Sequence, residues 1–274
     1  MVFVFIWNII EIIKYTGGDK IKDYQKEIIL PTCVIFILIL LWEGFVHLAN
    51  IPLYVLPAPS RVIMTFLQEF PILYDHALIT LWETFVGIII ATVLAILLAI
   101  VMDAFNLFRM AIYPILVVSQ TVPIIILAPL FIIYLGFGMA PKILTVVLMC
   151  FFPITISFAD GMAQIDNNQI NLVRSFGAKW YQVYSIVKIP GAMISLFSGL
   201  RVAATYSVTG AVVGEWLSSN KGLGYYMLRA KNGFMMDKVF ACILAIVFLS
   251  LFMNGIVKLF EYLFLPHMRN QKKY

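Results

Sequence analysis

Charged residues are scarce in this chain of 274 residues: 12% are Asp, Glu, Lys or Arg, where typical soluble domains carry about 25%. A water-soluble body of this length could not cover its surface with so few charges. That excludes a cytosolic globular enzyme, a disordered chain and a nucleic-acid binder. Cysteine is nearly absent as well. Cys33, Cys150 and Cys242 each lie in an apolar run and form no CxxC pair, so they read as small buried hydrophobes and not as a disulfide framework. Three histidines, His47, His76 and His267, are widely separated and match no metal-ligand spacing. No G-x-x-x-x-G-K-[ST] motif is there to cradle ATP, no Ser/His/Asp or Cys/His arrangement suggests a nucleophile, and no carboxylate pair suits acid–base work. Repeats at solenoid periods are missing too.

Apolar residues fill the chain instead, at 62% against about 45–50% in soluble domains. A membrane span needs about 20 of them at a rise of about 1.5 Å each. Windows of that length predict an all-α polytopic membrane protein with six transmembrane helices, at Ile28–Leu48, Ala77–Met102, Ile112–Leu135, Lys142–Phe158, Met193–Leu217 and Lys238–Phe264. The fourth window is short and contains Pro153, which predicts a break there. Ahead of the first, Met1–Tyr15 is apolar, with Asn8, Glu11 and Lys14 recurring on one face. It lacks a leading basic residue and an A-x-A site, so it reads as a helix lying in the membrane interface; an uncleaved extra span is the other reading. Segments 1–27, 28–266 and 267–274 thus divide into an N-terminal interfacial and cytoplasmic segment, a membrane domain and a basic tail. With the N-terminus in the cytoplasm, twelve Lys and Arg fall inside and six outside, with Arg201 within a span, which predicts N-in, C-in. The net charge of +5 suits a protein with basic cytoplasmic edges.

Between the fourth and fifth windows lies the longest predicted cytoplasmic loop, 160–191. Val173, Phe176, Trp180, Val183 and Val187 follow one another at gaps of 3, 4, 3 and 4, one face of a helix. Gly177 interrupts that series and Pro190 ends it, which predicts two short helices with a bend. Such an element either rests on the membrane surface or presents a face to a soluble partner. In the fifth window Ser195, Gly199, Ala203, Ser207, Gly210 and Gly214 form a stripe of small residues. Small residues let backbones approach closely in lipid, against another helix of the same subunit or against a second copy. Charges in spans cost about 2.5–3.5 kcal/mol each at a helix centre. Glu43 and Glu83 lie toward the outer ends of their windows and read as snorkelling or water-facing, while Arg201 sits about two turns from a cytoplasmic end. Gln120 and Thr121 stand just before Pro123, where irregular backbone either lines a cavity or merely kinks the helix.

Several segments carry a family resemblance. Asn171-Leu172-Val173, then Gly177, then Val187-x-Ile189-Pro190 resembles the cytoplasmic Glu-Ala-Ala loop of ABC importer permeases in its Gly-to-Pro spacing, with Asn171 where that pattern has Glu. Leu56-Pro57-Ala58-Pro59-Ser60 resembles the outer-loop motif of type I permeases for sulfonates, taurine, nitrate and thiamine precursors. Ala128-Pro129-Leu130, Gly136-Phe137-Gly138, Gly199-Leu200-Arg201, Gly214-Glu215-Trp216-Leu217 and Gly222-Leu223-Gly224 extend the likeness over roughly 57–266. Phe151-Phe152-Pro153-Ile154 and the stretch Tyr206 to Trp216 lean toward the branch for thiamine pyrimidine precursors or riboflavin.

The resemblance implies a non-enzymatic permease subunit that binds no cofactor, with ATP and Mg on a separate partner. Its implied partners are two cytoplasmic ABC ATPase subunits, a second permease copy forming a homodimer, an extracytoplasmic substrate-binding protein and membrane lipid, with no nucleic acid. Asn171, Arg174, Gly177, Lys179 and Pro190 would form the ATPase-coupling loop. Gln120, Thr121, Pro123, Arg201 and Glu215 would line the pathway, and Gly199, Ala203, Ser207, Gly210 and Gly214 would pack helices. Uncharged Gln120 and Thr121 suit a neutral or zwitterionic heterocycle better than a bare sulfonate-type anion. An ion-coupled secondary transporter or channel is the rival class; it would carry coupling carboxylates at mid-membrane, and the acidic residues here sit mostly near span ends.

Overall fold

The computed structural model describes residues 18–265, with side chains from Ile29 onward, Ser218 excepted. The expected interfacial helix Met1–Tyr15 and the basic tail 267–274 lie outside the described residues. Apart from one π-helical turn, the regular structure among the described residues is α-helix. The helices are α1 (Gly18–Leu48), α2 (Pro59–Gln68), α3 (Phe70–Ala104), α4 (Asn106–Ser119), α5 (Ile124–Leu135), α6 (Met139–Ala163), α7 (Asn167–Ser175), α8 (Trp180–Val183), α9 (Ile189–Ser218), α10 (Leu223–Asn232) and α11 (Met236–Phe264).

Among the described residues five stretches are long and apolar enough to cross a membrane: Ile29–Leu48, Phe70–Ala104, Met139–Ala163, Trp180–Leu217 and Met236–Phe264. A sixth span arises if α4 and α5, bent by 101° at their junction, count as one. The break therefore falls in the third predicted window and not the fourth. Two prolines explain the difference. Pro123 adopts an extended conformation (ψ 118°) and starts a new helix, and the loosened end of α4 is tied off by Thr121 and Ser119 hydroxyls donating to the carbonyls of Val118 and Ile115, each at 2.7 Å. Pro153 instead stays within the 25 residues of α6, where the Thr155 hydroxyl adds a bond of 2.7 Å to the Phe151 carbonyl.

The described residues divide into two compact units, those up to 77 with 226–252 and those of 78–225 with 253 onward. In the first unit Glu43, near the end of α1, accepts from the backbone N–H of Ser60 at 2.9 Å and from its hydroxyl at 2.7 Å. Those two bonds seat the start of α2 and with it the Leu56–Ser60 motif. From α2 the Thr65 hydroxyl reaches Asp237 at 3.1 Å, and Glu69, just after α2, accepts from Tyr226 at 3.0 Å and pairs with Lys238 at 2.6 Å. Burial and the bond to Glu69 push the Tyr226 phenol above its ordinary pKa.

The second unit is built on α6 against α9. At Gly199 a Cβ would lie 2.9 Å from the Pro153 carbonyl oxygen, at Gly210 3.1 Å from the Val146 Cα, and at Gly214 2.9 Å from the Lys142 Cα. Ala203 and Ser207, between them, are fully buried. The whole stripe from Gly199 to Gly214 faces α6 of the same chain.

Candidate functional site

Residues 166–190 form a two-part element. The Asp166 side chain caps α7, accepting the backbone N–H of Asn168 at 2.8 Å. After Ser175 the chain turns at Gly177, whose φ of +83° lies where side chains are costly. The backbone N–H of Lys179 then donates to the Gln182 side chain at 2.7 Å and starts α8. Asn171, Arg174, Gly177 and Lys179 are all exposed. The helical face expected from the sequence divides in two: Val183 is buried, whereas Phe176 and Trp180 are 81% and 73% exposed. Leu172 and Tyr181 add to this apolar surface. Pro190 does not end the series. It occupies the first turn of α9, where its missing N–H is no loss, and the π-helical turn Tyr184–Lys188 carries the chain continuously from α8 into α9.

One acidic residue absent from the sequence-based candidates anchors this element, and a second ties α6 to α4. Asp103, in the last turn of α3, accepts from the Tyr184 hydroxyl at 2.7 Å and from the Lys188 ammonium at 2.5 Å. Asp160, in α6, accepts from Arg109 at 3.3 Å and Tyr113 at 3.0 Å, both on α4. An acidic residue near a helix C-terminus opposes the helix dipole, the one sequence signal that could have singled out Asp103.

At the other end of α9 a polar cluster is sealed from solvent. Glu83 and Glu215 are fully buried, and Lys142 is 5% exposed. Lys142 pairs with Glu83 and donates to Ser219 at 3.1 Å. Glu215 accepts from the Thr80 hydroxyl at 2.7 Å and the Gly224 N–H at 2.6 Å, while Thr80 accepts from the Leu223 N–H at 2.9 Å. At Gly222, whose φ is +110°, a Cβ would collide with a Glu215 carboxyl oxygen, so only glycine fits there. Glu83 is thus neither snorkelling nor water-facing, and Lys142 is not a free loop cation. The burial of each depends on the other, 59 residues away in sequence, which no local pattern reveals.

The remaining expected pathway residues are scattered. Gln120, Thr121 and Pro123 are exposed together at the α4–α5 break. Arg201 is exposed, bonded to Glu261 at 3.2 Å and to Ser198 at 3.0 Å, and lies fourteen residues from Glu215 on α9, about 21 Å along the axis. A groove of about 330 Å³ in the same unit, walled by Phe85, Phe197, Met253 and Phe260 among others, offers almost wholly apolar surface. Among the described residues no group of His, Cys, Asp and Glu is placed to hold a metal ion.

Comparison with known proteins gives this arrangement a context. The profile of the family described as binding-protein-dependent transport system inner membrane component matches residues 87–264. The formylaminopyrimidine transport permease protein ThiX of Halalkalibacterium halodurans is 34% identical over 91% of this chain and 99% of its own length. A probable ABC transporter permease protein of Haemophilus influenzae is 31% identical over 82% of this chain and 92% of its own. Among solved structures, the MetNI methionine ABC transporter in an inward-facing conformation superposes with a TM-score of 0.51 at 17% identity, over 69% of this chain and 94% of that chain, a likeness of fold.

Proposed function

This chain belongs to the family of binding-protein-dependent transport inner-membrane components, the permease subunits of ABC importers, and on that premise we propose how it works and what it carries. It is a multi-pass membrane protein, and its family implies a separate ATPase, a substrate-binding protein and a paired permease. In our reading two copies of this chain pair around one pathway, in N-in, C-in orientation, with two ATPase subunits docked on residues 166–190. The chain itself performs no chemistry and holds no cofactor; ATP and Mg reside on the ATPase.

One observation carries the docking assignment. Phe176 and Trp180, large apolar side chains flanking the Gly177 bend, stand more than two-thirds exposed, the most open of the apolar residues on this two-part element. An aromatic anchor pair on an element that also exposes Asn171, Arg174 and Lys179 has the composition of an interface centre with a polar rim. ATP-driven closure of the ATPase pair would move this element and exchange the accessible side of the pathway, since ATP binds the two states unequally. Gln120 and Thr121, exposed at the α4–α5 break, are the proposed substrate contacts, with Pro123 holding the break open and exposed Arg201 on α9 further along; Glu215, held in the sealed cluster, is a structural residue and not a pathway contact.

The substrate we propose is a neutral or zwitterionic heterocycle of the thiamine-precursor class, with riboflavin next and a sulfonate-type anion after it. The uncharged side chains at the break favour this choice, as does the likeness to the formylaminopyrimidine permease. Membranes expressing this chain with its ATPase supply the test. Stoichiometric copurification of the ATPase and ATP-dependent uptake of the heterocycle are expected, and uptake that persists without any ATPase would overturn the reading.

A further inference from the structure

The π-helical turn Tyr184–Lys188 stands between the exposed Phe176–Trp180 face and the long membrane helix α9. A π turn holds one residue more than the α-helix around it, an irregularity that can be passed along to a neighbouring turn, so it is a compliant place in a lever. Here the first and last residues of the turn are fastened to a single atom. The Tyr184 hydroxyl and the Lys188 ammonium both donate to Asp103 Oδ2, at 2.7 and 2.5 Å, and the ammonium also lies 5.2 Å from the Tyr184 ring centroid. The Asp103 side chain is 6% exposed and the Lys188 side chain 17%. Asp103 meanwhile sits in the last turn of α3, against its own helix dipole, with no basic residue of α3 beside it in that turn. Local preference does not explain an acidic residue there; the contact with the turn does.

We propose that Asp103 is a positioning residue for energy coupling: it locks the π turn and ties it to α3, so that motion of the docking element reaches α3 and α9 together. The proposal rests on the reading of residues 166–190 as the ATPase-docking element. With the lock in place, a push on Phe176 and Trp180 cannot be absorbed by the turn passing its irregularity along. Without it, the ATPase would still bind and cycle, while the membrane helices would follow its strokes poorly. Asp160, bonded to Arg109 and Tyr113, makes a comparable tie between α6 and α4, but neither of its donors belongs to the docking element.

The experiment reconstitutes the permease with its ATPase and binding protein in liposomes and reads ATP hydrolysis and substrate uptake in the same vesicles. Asp103→Asn should leave the ATPase bound and hydrolysing while uptake per ATP falls by about 2- to 30-fold, the span expected for residues on a coupling route. Lys188→Asp should do the same, and combining it with Asp103→Lys should restore coupling, because a lysine suits the C-terminal end of α3 and the pair is re-formed. Tyr184→Phe removes one bond and leaves the charges paired, so it decides the matter should Asp103→Asn fail to assemble; its uptake per ATP should fall at the low end of that range. Wild-type uptake per ATP in Tyr184→Phe and in an assembled Asp103→Asn overturns the proposal, as does a charge exchange that assembles and stays uncoupled. A wild-type complex with no ATP-dependent uptake would fail differently, since it removes the proposed function itself.

Discussion

The two ends of α9 are organised on opposite principles. At one end, residues 166–190 keep large apolar side chains in the open, Phe176 and Trp180 foremost, and spend few internal bonds on them. At the other, Glu83, Lys142, Thr80 and Glu215 withdraw two carboxyl groups and an ammonium group from solvent and pin the Gly222–Gly224 turn with backbone N–H donors. The open end, on the proposed function, is completed by the ATPase. The closed end completes itself. The contrast teaches where change should be felt: as lost stability at the closed end, as lost coupling at the open one.

The largest effect is expected at the closed end. Lys142→Met would leave the buried Glu83 charge without its partner, a loss of about 3–5 kcal/mol when one member of a buried pair is removed. The melting temperature of the detergent-solubilised protein should fall sharply, and equal stability would dissolve the contrast. Next comes Gly214→Leu, which drives a side chain into the Lys142 backbone; overpacking of this kind costs roughly 1–3 kcal/mol and should show as poor extraction and early aggregation on heating. Gly210→Leu should behave alike against Val146, and unchanged stability in both would make the stripe a mere surface.

At the open end the ranking of stability and activity inverts. Gly177→Asp places a side chain at a positive φ, worth about 1–2 kcal/mol locally, yet should insert and fold normally while uptake with loaded binding protein is lost. The smallest stability effect belongs to Gln120→Ala and Thr121→Val, both exposed and expected to stay within about 0.5 kcal/mol. Uptake should nevertheless drop with basal ATP hydrolysis retained, and unchanged transport in both would remove them from the pathway.

Much of this organisation is legible in the sequence, and what escapes has a common cause. Long apolar windows betray the spans because each satisfies its own backbone bonds, and Gly177 marks a bend because its conformation is a local requirement. Prolines are less transparent. Pro123 and Pro153 have the same chemistry, but whether a helix breaks depends on what else can occupy the freed groups, and Pro190 at a helix start costs nothing. The small-residue stripe announces close packing without saying against which helix, and α6 of the same chain supplies the answer. Glu83, Lys142, Asp103 and Lys188 are the hardest to foresee. Each reads alone as a span-end charge or a loop charge, and only the pairing of distant helices turns it into a buried contact.

The central claim, that the open end is where a separate ATPase drives this permease, is most directly tested at Trp180. In liposomes holding permease, ATPase and binding protein, Trp180→Ala should weaken ATPase association and abolish ATP-dependent uptake while the melting temperature of the permease alone stays at the wild-type value. ATPase association and uptake both at wild-type level in that variant would contradict the account.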